Sequence, residues 1–250
     1  MPTGSLELTL LAGLVLAAAV LYSSGGHAGA SAYLAAMALF GVAPAVMRPT
    51  ALVMNIAVAT IGTTRFVRAR AVPWHLLRPL CLGSVPAAFL GGAMRLSPGA
   101  YLFVLGAALL VASALLWLRP KMQTMRTPPR APALVAIGAL LGLVAGMTGI
   151  GGGVFLSPLL ILNGWEEPRR TSGAAVVFIL ANSILGLLGQ ASTMVHVPPQ
   201  AALLGIVAVT GGLVGSWLGV NRLAPLALRR VHAVVLLVSG AKLLFEGLRQ

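Results

Sequence analysis

The chain is poor in charge, and poorer still in acid. Of its 250 residues 8% are charged, and Asp and Glu together number 4. A soluble domain of ordinary composition carries about 25% charged residues. No charge occurs from residue 8 to 47, from 131 to 165 or from 171 to 221. Runs of this length exceed the roughly 20 apolar residues that one bilayer-spanning helix needs, so the longest hold two or more spans each. A soluble globular fold is excluded. A transmembrane barrel is excluded as well, because short segments of alternating hydrophobicity are missing. The single cysteine, Cys81, allows no disulfide within the chain and makes a thiol-metal site a poor expectation. Scarcity of acid leaves no embedded carboxylate to relay protons. Paired carboxylates, zinc-ligand spacing and a nucleophile triad are also missing. No catalytic residue, metal or cofactor is expected, and the chain is not read as an enzyme.

What is present is apolar and basic. Hydrophobic residues make up 58% of the chain, mean hydropathy is +0.97 and the net charge is +13. The arginines stand in short connectors between apolar runs, where basic residues mark cytoplasmic loops, so nucleic acid is not a partner. The partners expected are the lipid bilayer and a small anionic solute, and association of several copies stays open. Glu7 and the lack of a basic residue before the first apolar run make a first span, not a cleaved signal. The setting expected is the inner (cytoplasmic) membrane, with many passes.

Ten apolar segments can be drawn, at 6–22, 27–43, 49–66, 76–94, 99–118, 131–148, 151–163, 171–190, 200–220 and 230–247. The second and seventh are short for full crossings, so eight to ten transmembrane helices are expected. The connector "RPKMQTMRTPPRAP", 119–132, divides the chain. Residues 1–118 form a first membrane repeat, 119–130 a basic cytoplasmic linker and 131–250 a second repeat. "RLSP" at 95–98 returns as "RLAP" at 222–225, and "LLVASA" at 109–114 returns as "LLVSGA" at 236–241. Gly26, Gly29 and Gly41 match Gly149, Gly152 and Gly164 at a constant spacing of 123 residues. The fold class is an all-α polytopic membrane protein of two repeats, each of about five helical segments.

Five is odd, so the second repeat should enter the membrane inverted. The charges agree. The connector 65–78 of the first half is basic and its counterpart 191–199 carries no charge, whereas 222–230 is basic and the RLSP turn holds only Arg95. With ten crossings the connectors 65–78, 119–130, 166–170 and 222–230 face the cytoplasm and hold 13 of the 17 basic residues.

Glycine is concentrated at two matching places, "SSGGHAGAS" at 23–31 and "GMTGIGGGVFLSP" at 146–158. In carriers built from inverted repeats, Gly-interrupted segments at corresponding positions point to the solute site. Irregular backbone survives at membrane depth only if buried in protein or lining a cavity. A helix beginning after such a break offers free N–H groups to an anion. The candidate solute-binding positions are therefore Gly26, His27, Gly29 and Ser31 in the first break. In the second they are Thr148, Gly149, Gly151, Gly152, Gly153 and Ser157. Asn55, Ser172 and Asn182 join them as polar residues of the neighbouring segments. Tight helix packing by small residues, helix capping and interhelical amide pairing are the competing readings for these positions. A phosphate-binding loop is excluded by the lack of a nearby lysine, and a dinucleotide fingerprint by Val154.

"GLVAGMTGIGGGVFLSPLLI", "TSGAAVVFILANSILGLLG", "YSSGGHAGASAYLAAMALFG" and "PTALVMNIAVATIGTTRFVRAR" together resemble the TauE/SafE family of sulfite exporters and related permeases. Ala28 stands where that family pattern leads one to expect a glycine. The resemblance implies a carrier of a small anion, sulfite or an organosulfur compound such as sulfoacetate. Alternating access is the mechanism expected. An anion channel, or an intramembrane partner subunit with no transport cycle, is the alternative.

Overall fold

The computed structural model describes residues 5–24, 28–117, 125–192, 199–221 and 226–249. Among them ten α-helices follow in order, with no strand. They are α1 (Ser5–Ser24), α2 (Ala30–Leu39), α3 (Pro44–Arg68), α4 (Trp74–Ala93), α5 (Pro98–Trp117), α6 (Ala131–Thr148), α7 (Gly153–Leu162), α8 (Pro168–Ala191), α9 (Pro199–Asn221) and α10 (Leu226–Leu248). Prolines in the first turns of α3, α6 and α8 are at home there, because the first N–H groups of a helix lack partners anyway. Six helices, α1, α3, α4, α5, α6 and α8, are long and apolar enough to cross a bilayer. The chain is a multi-pass integral membrane protein.

The third helix begins earlier than its apolar run. The segment expected at 49–66 starts at Pro44, so Arg48 and Pro49 lie inside α3. Arg48 is buried there.

α2 and α7 are ten residues each, about 15 Å, half the thickness of a hydrocarbon core. Their ends are alike. Gly29 caps α2 at φ 99° and Gly152 caps α7 at φ 82°, both left-handed conformations that glycine adopts without Cβ strain. Gly41 and Gly164 follow the two helices at φ 64° and 66°. Both pairs are 123 residues apart.

Small residues set the helix pairing. Gly138, Gly142 and Gly146 of α6 press on the backbone of Leu80, Ser84 and Ala88 in α4, so the two helices run parallel at close range. Gly211 of α9 presses likewise on Leu16 and Ala19 of α1, and Gly215 on Val20. α5 and α10 are antiparallel, Gly106 facing Gly240 and Leu244 while Gly247 faces Gly99 and Phe103. α3 and α8 are also antiparallel. Asn55 meets Ser183, and two turns further along α3 Gly62 faces Val176. The leading contacts pair α4 with α6, α1 with α9, α4 with α8, α3 with α9, α3 with α8 and α5 with α10. This pattern is unchanged when α1–α5 are exchanged in order for α6–α10.

Candidate functional site

The second break is a buried turn of non-helical backbone between α6 and α7. Residues 148–155 are all buried. Gly149 closes α6 at φ 84°, and Gly151 and Gly152 both have φ 82°. Thr148 directs its hydroxyl to the Val144 carbonyl at 2.6 Å and accepts the Ile150 N–H at 3.3 Å. The hydroxyl of Tyr101, from α5, donates to the Thr148 carbonyl at 3.1 Å. α7 then starts at Gly153 with no side-chain cap. Phe155 and Leu156 donate their N–H groups to the Gly152 carbonyl, and helix geometry leaves those of Gly153 and Val154 without intrahelical acceptors.

Asn55 brings the break against the antiparallel pair. Its Nδ2 donates to the Ile150 carbonyl at 3.3 Å and to Ser183 Oγ at 3.2 Å, and its Oδ1 has no hydrogen-bond partner. A Cβ on Gly151 would sit 2.7 Å from Asn55 Nδ2 and 3.2 Å from Ser183 Oγ. The glycine therefore lets polar side chains approach bare backbone. Gly152 and Gly153 face apolar neighbours instead, Phe178 with Ala145 and Ile179 respectively.

Unpaired polar atoms occur on these elements, as they do on α1, α4 and α10. Asn182 of α8 is fully buried, and neither amide atom has a partner. Ser157 of α7 and Thr50 of α3 are buried with unpaired hydroxyls. An unmet buried polar group costs about 1–3 kcal/mol, and a bound solute would meet those that face the break. Ser172 is different. It is half-buried, and its hydroxyl donates to Pro168 O at 3.1 Å, a bond within its own helix.

Part of the first break is described. Gly26 and His27 lie outside the described residues. Gly29 packs on the Tyr33 ring, whose hydroxyl donates to the Ala28 carbonyl at 2.6 Å. Ser31 donates to the Tyr22 hydroxyl at 3.2 Å. In each half the carbonyl just before a left-handed glycine thus accepts from a buried tyrosine. Ala28 of one break and Ile150 of the other belong to one hydrophobic cluster.

Two residues at this site escaped the sequence. Ser183 is one position beyond Asn182 and shares the Asn55 amide. Arg48 donates through Nη1 to the Met94 carbonyl and through Nη2 to those of Gly91 and Gly92. Arg48 is the fifth residue of α3 and lies near one end of the span, and a buried charge there is a functional candidate. The available signal was its position within four residues of an apolar run and next to Pro49 and Thr50.

Comparison with known proteins bears on this arrangement. Residues 10–243 match the family model described as "Sulfite exporter TauE/SafE". The chain is 37% identical over 234 residues to "Probable membrane transporter protein y4hK" of Sinorhizobium fredii (strain NBRC 101917 / NGR234), covering 91% of this chain and 94% of that protein. It is 26% identical over 237 residues to "Probable membrane transporter protein YjnA" of Bacillus subtilis (strain 168), covering 88% and 92% respectively. No solved structure matches.

Proposed function

Since the chain belongs to the sulfite exporter TauE/SafE family, we propose that this membrane transporter is a secondary carrier of a small oxyanion, sulfite or a sulfonate, working by alternating access in the inner membrane. It moves its solute without converting it. The observation that carries this reading is the meeting of Asn55 from the middle of α3, Ser183 of α8 and Gly151 of the unwound backbone between α6 and α7. The Ser183 hydroxyl accepts from Asn55 and keeps its own proton to donate, and with the N–H groups entering α7 it suits an oxyanion, whose oxygens only accept. Asn182 and Ser157 add polar groups that still lack partners.

The direction of the helices supports the ten-crossing topology. From α3 onward, successive crossings alternate in direction. If α7 merely dipped in and out, α8 would run parallel to α3. It runs antiparallel, which fits α7 returning the chain across. The ten-residue α2 and α7 with matching caps, and a packing pattern that survives exchange of the halves, support two inverted repeats rocking about a shared site.

The test is uptake of labelled sulfite into proteoliposomes, with sulfoacetate, thiosulfate, sulfate and chloride as competitors. Saturable uptake inhibited by the sulfur oxyanions and not by chloride is expected. Uptake that never saturates, or is indifferent to all competitors, contradicts the reading.

A further inference from the structure

Arg48 is a buried cation with no acidic partner. The ion pairs among the described residues join Arg170 to Glu166 and Lys242 to Glu246, and neither involves it. Its Nη1 donates to Met94 O at 3.3 Å and its Nη2 to Gly91 O at 2.7 Å and to Gly92 O. These carbonyls end α4, so the guanidinium rests on the negative pole of that helix. Carbonyl dipoles offset a charge only in part. Nε is buried and has no acceptor.

The residue also stands at the rim of the second break. A Cβ on Gly149 would lie 3.2 Å from the Arg48 carbonyl oxygen and 3.3 Å from its Cγ. Along α3 Arg48 precedes Asn55 by two turns, about 10 Å. One helix thus presents an unmatched positive charge and a polar amide to the same stretch of glycine backbone.

We propose that Arg48 is a binding residue for the transported anion and supplies its counter-charge. The inference rests on the reading of the solute as an anion. Nε–H and the adjacent Nη2–H form the side-on edge of a guanidinium, which pairs with two oxygens of an oxyanion in a fork. The α4 carbonyls hold Nη2. The incoming oxyanion takes the free Nε–H and displaces one of the two carbonyls at Nη2. A sulfite or sulfonate head presents the two acceptors this requires, and chloride does not. The competing role for Arg48 is solely to cap α4.

The experiment compares wild type, Arg48→Gln and Arg48→Lys in detergent. Melting and affinity are measured with sulfite, sulfoacetate, sulfate, methanesulfonate and chloride. Arg48→Gln should melt cooperatively and bind the oxyanions on the order of tenfold or more weakly. Arg48→Lys should fall between, because it keeps the charge and loses the fork. The affinity for dianionic sulfate relative to monoanionic methanesulfonate should be lower in Arg48→Gln than in wild type. Lower melting with wild-type affinities and an unchanged relative affinity in both variants would overturn the proposal and leave a helix cap. If Arg48→Gln does not fold, Arg48→Lys decides, and wild-type affinity there overturns the proposal. Failure of wild type to bind any of these anions removes the anion reading itself, an outcome distinct from variants that bind as wild type does.

Discussion

Asn55 of α3 donates its amide to Ser183 of α8 at 3.2 Å, while the adjacent Asn182 donates to nothing. Two buried asparagines at one helix crossing thus stand in opposite states, one paired within the protein and one unpaired.

That difference separates their substitutions. Asn182→Leu removes an unmet buried amide, so melting without ligand should hold or rise. Affinity for sulfite should fall tenfold to a hundredfold if the amide binds it, the equivalent of roughly 1.5–3 kcal/mol for a bond to a charged group. Asn55→Leu leaves the Ile150 carbonyl and Ser183 hydroxyl without their donor, so it should lower both affinity and melting. Melting curves and binding isotherms on the same samples decide. Wild-type affinity in both variants would remove the asparagines from the site.

Glycines at two places should fail differently. A Cβ at Gly142 meets the backbone of Ser84, which can yield only if α4 and α6 separate. Gly142→Val should therefore lose the monodisperse folded peak in gel filtration. Gly151→Ala meets the side-chain atoms of Asn55, Ile179 and Ser183 and takes on left-handed strain of about 1–2 kcal/mol. It should fold and lose uptake. Normal uptake by Gly151→Ala would reduce the second break to a packing device.

Tyr101 fixes the break from α5 through the Thr148 carbonyl. Tyr101→Phe removes one hydrogen bond, worth about 0.5–1.5 kcal/mol. Denaturant unfolding should register a loss of that size, accompanied by slower uptake. Unchanged stability would show that the Thr148 carbonyl has no need of this donor.

The charge pattern predicts which connectors face the cytoplasm. With Cys81 replaced, a cysteine at Met125 should be labelled only from the cytoplasmic side and one at Ser97 only from outside. The reverse labelling, or both on one side, breaks the ten-crossing topology.

Much of this was legible in the sequence, because lipid leaves the backbone few choices. Apolar length alone locates helices, and all ten segments overlap a helix of the fold. The constant glycine spacing marked the two halves as repeats, and α2 and α7 share length and left-handed glycine caps at those positions. Facing was not legible. Helices apolar on every side carry no stripe to show which residue meets which. So Ser183 was passed over beside Asn182, and nothing in the sequence separated Ser172, bonded to its own helix, from the unpaired Ser157. Arg48 was missed for another reason. Its acceptors are carbonyls of α4, more than forty residues away, and carbonyls belong to every residue, so no motif records them.

Counterflow tests the central claim most directly. Proteoliposomes loaded with unlabelled sulfite are diluted into a trace of labelled sulfite. A carrier that alternates access about one site should draw label inward transiently above its equilibrium level, and external sulfoacetate should suppress the overshoot. Monotonic equilibration with no overshoot, together with steady anion conductance in a planar bilayer, would contradict the account and identify a channel.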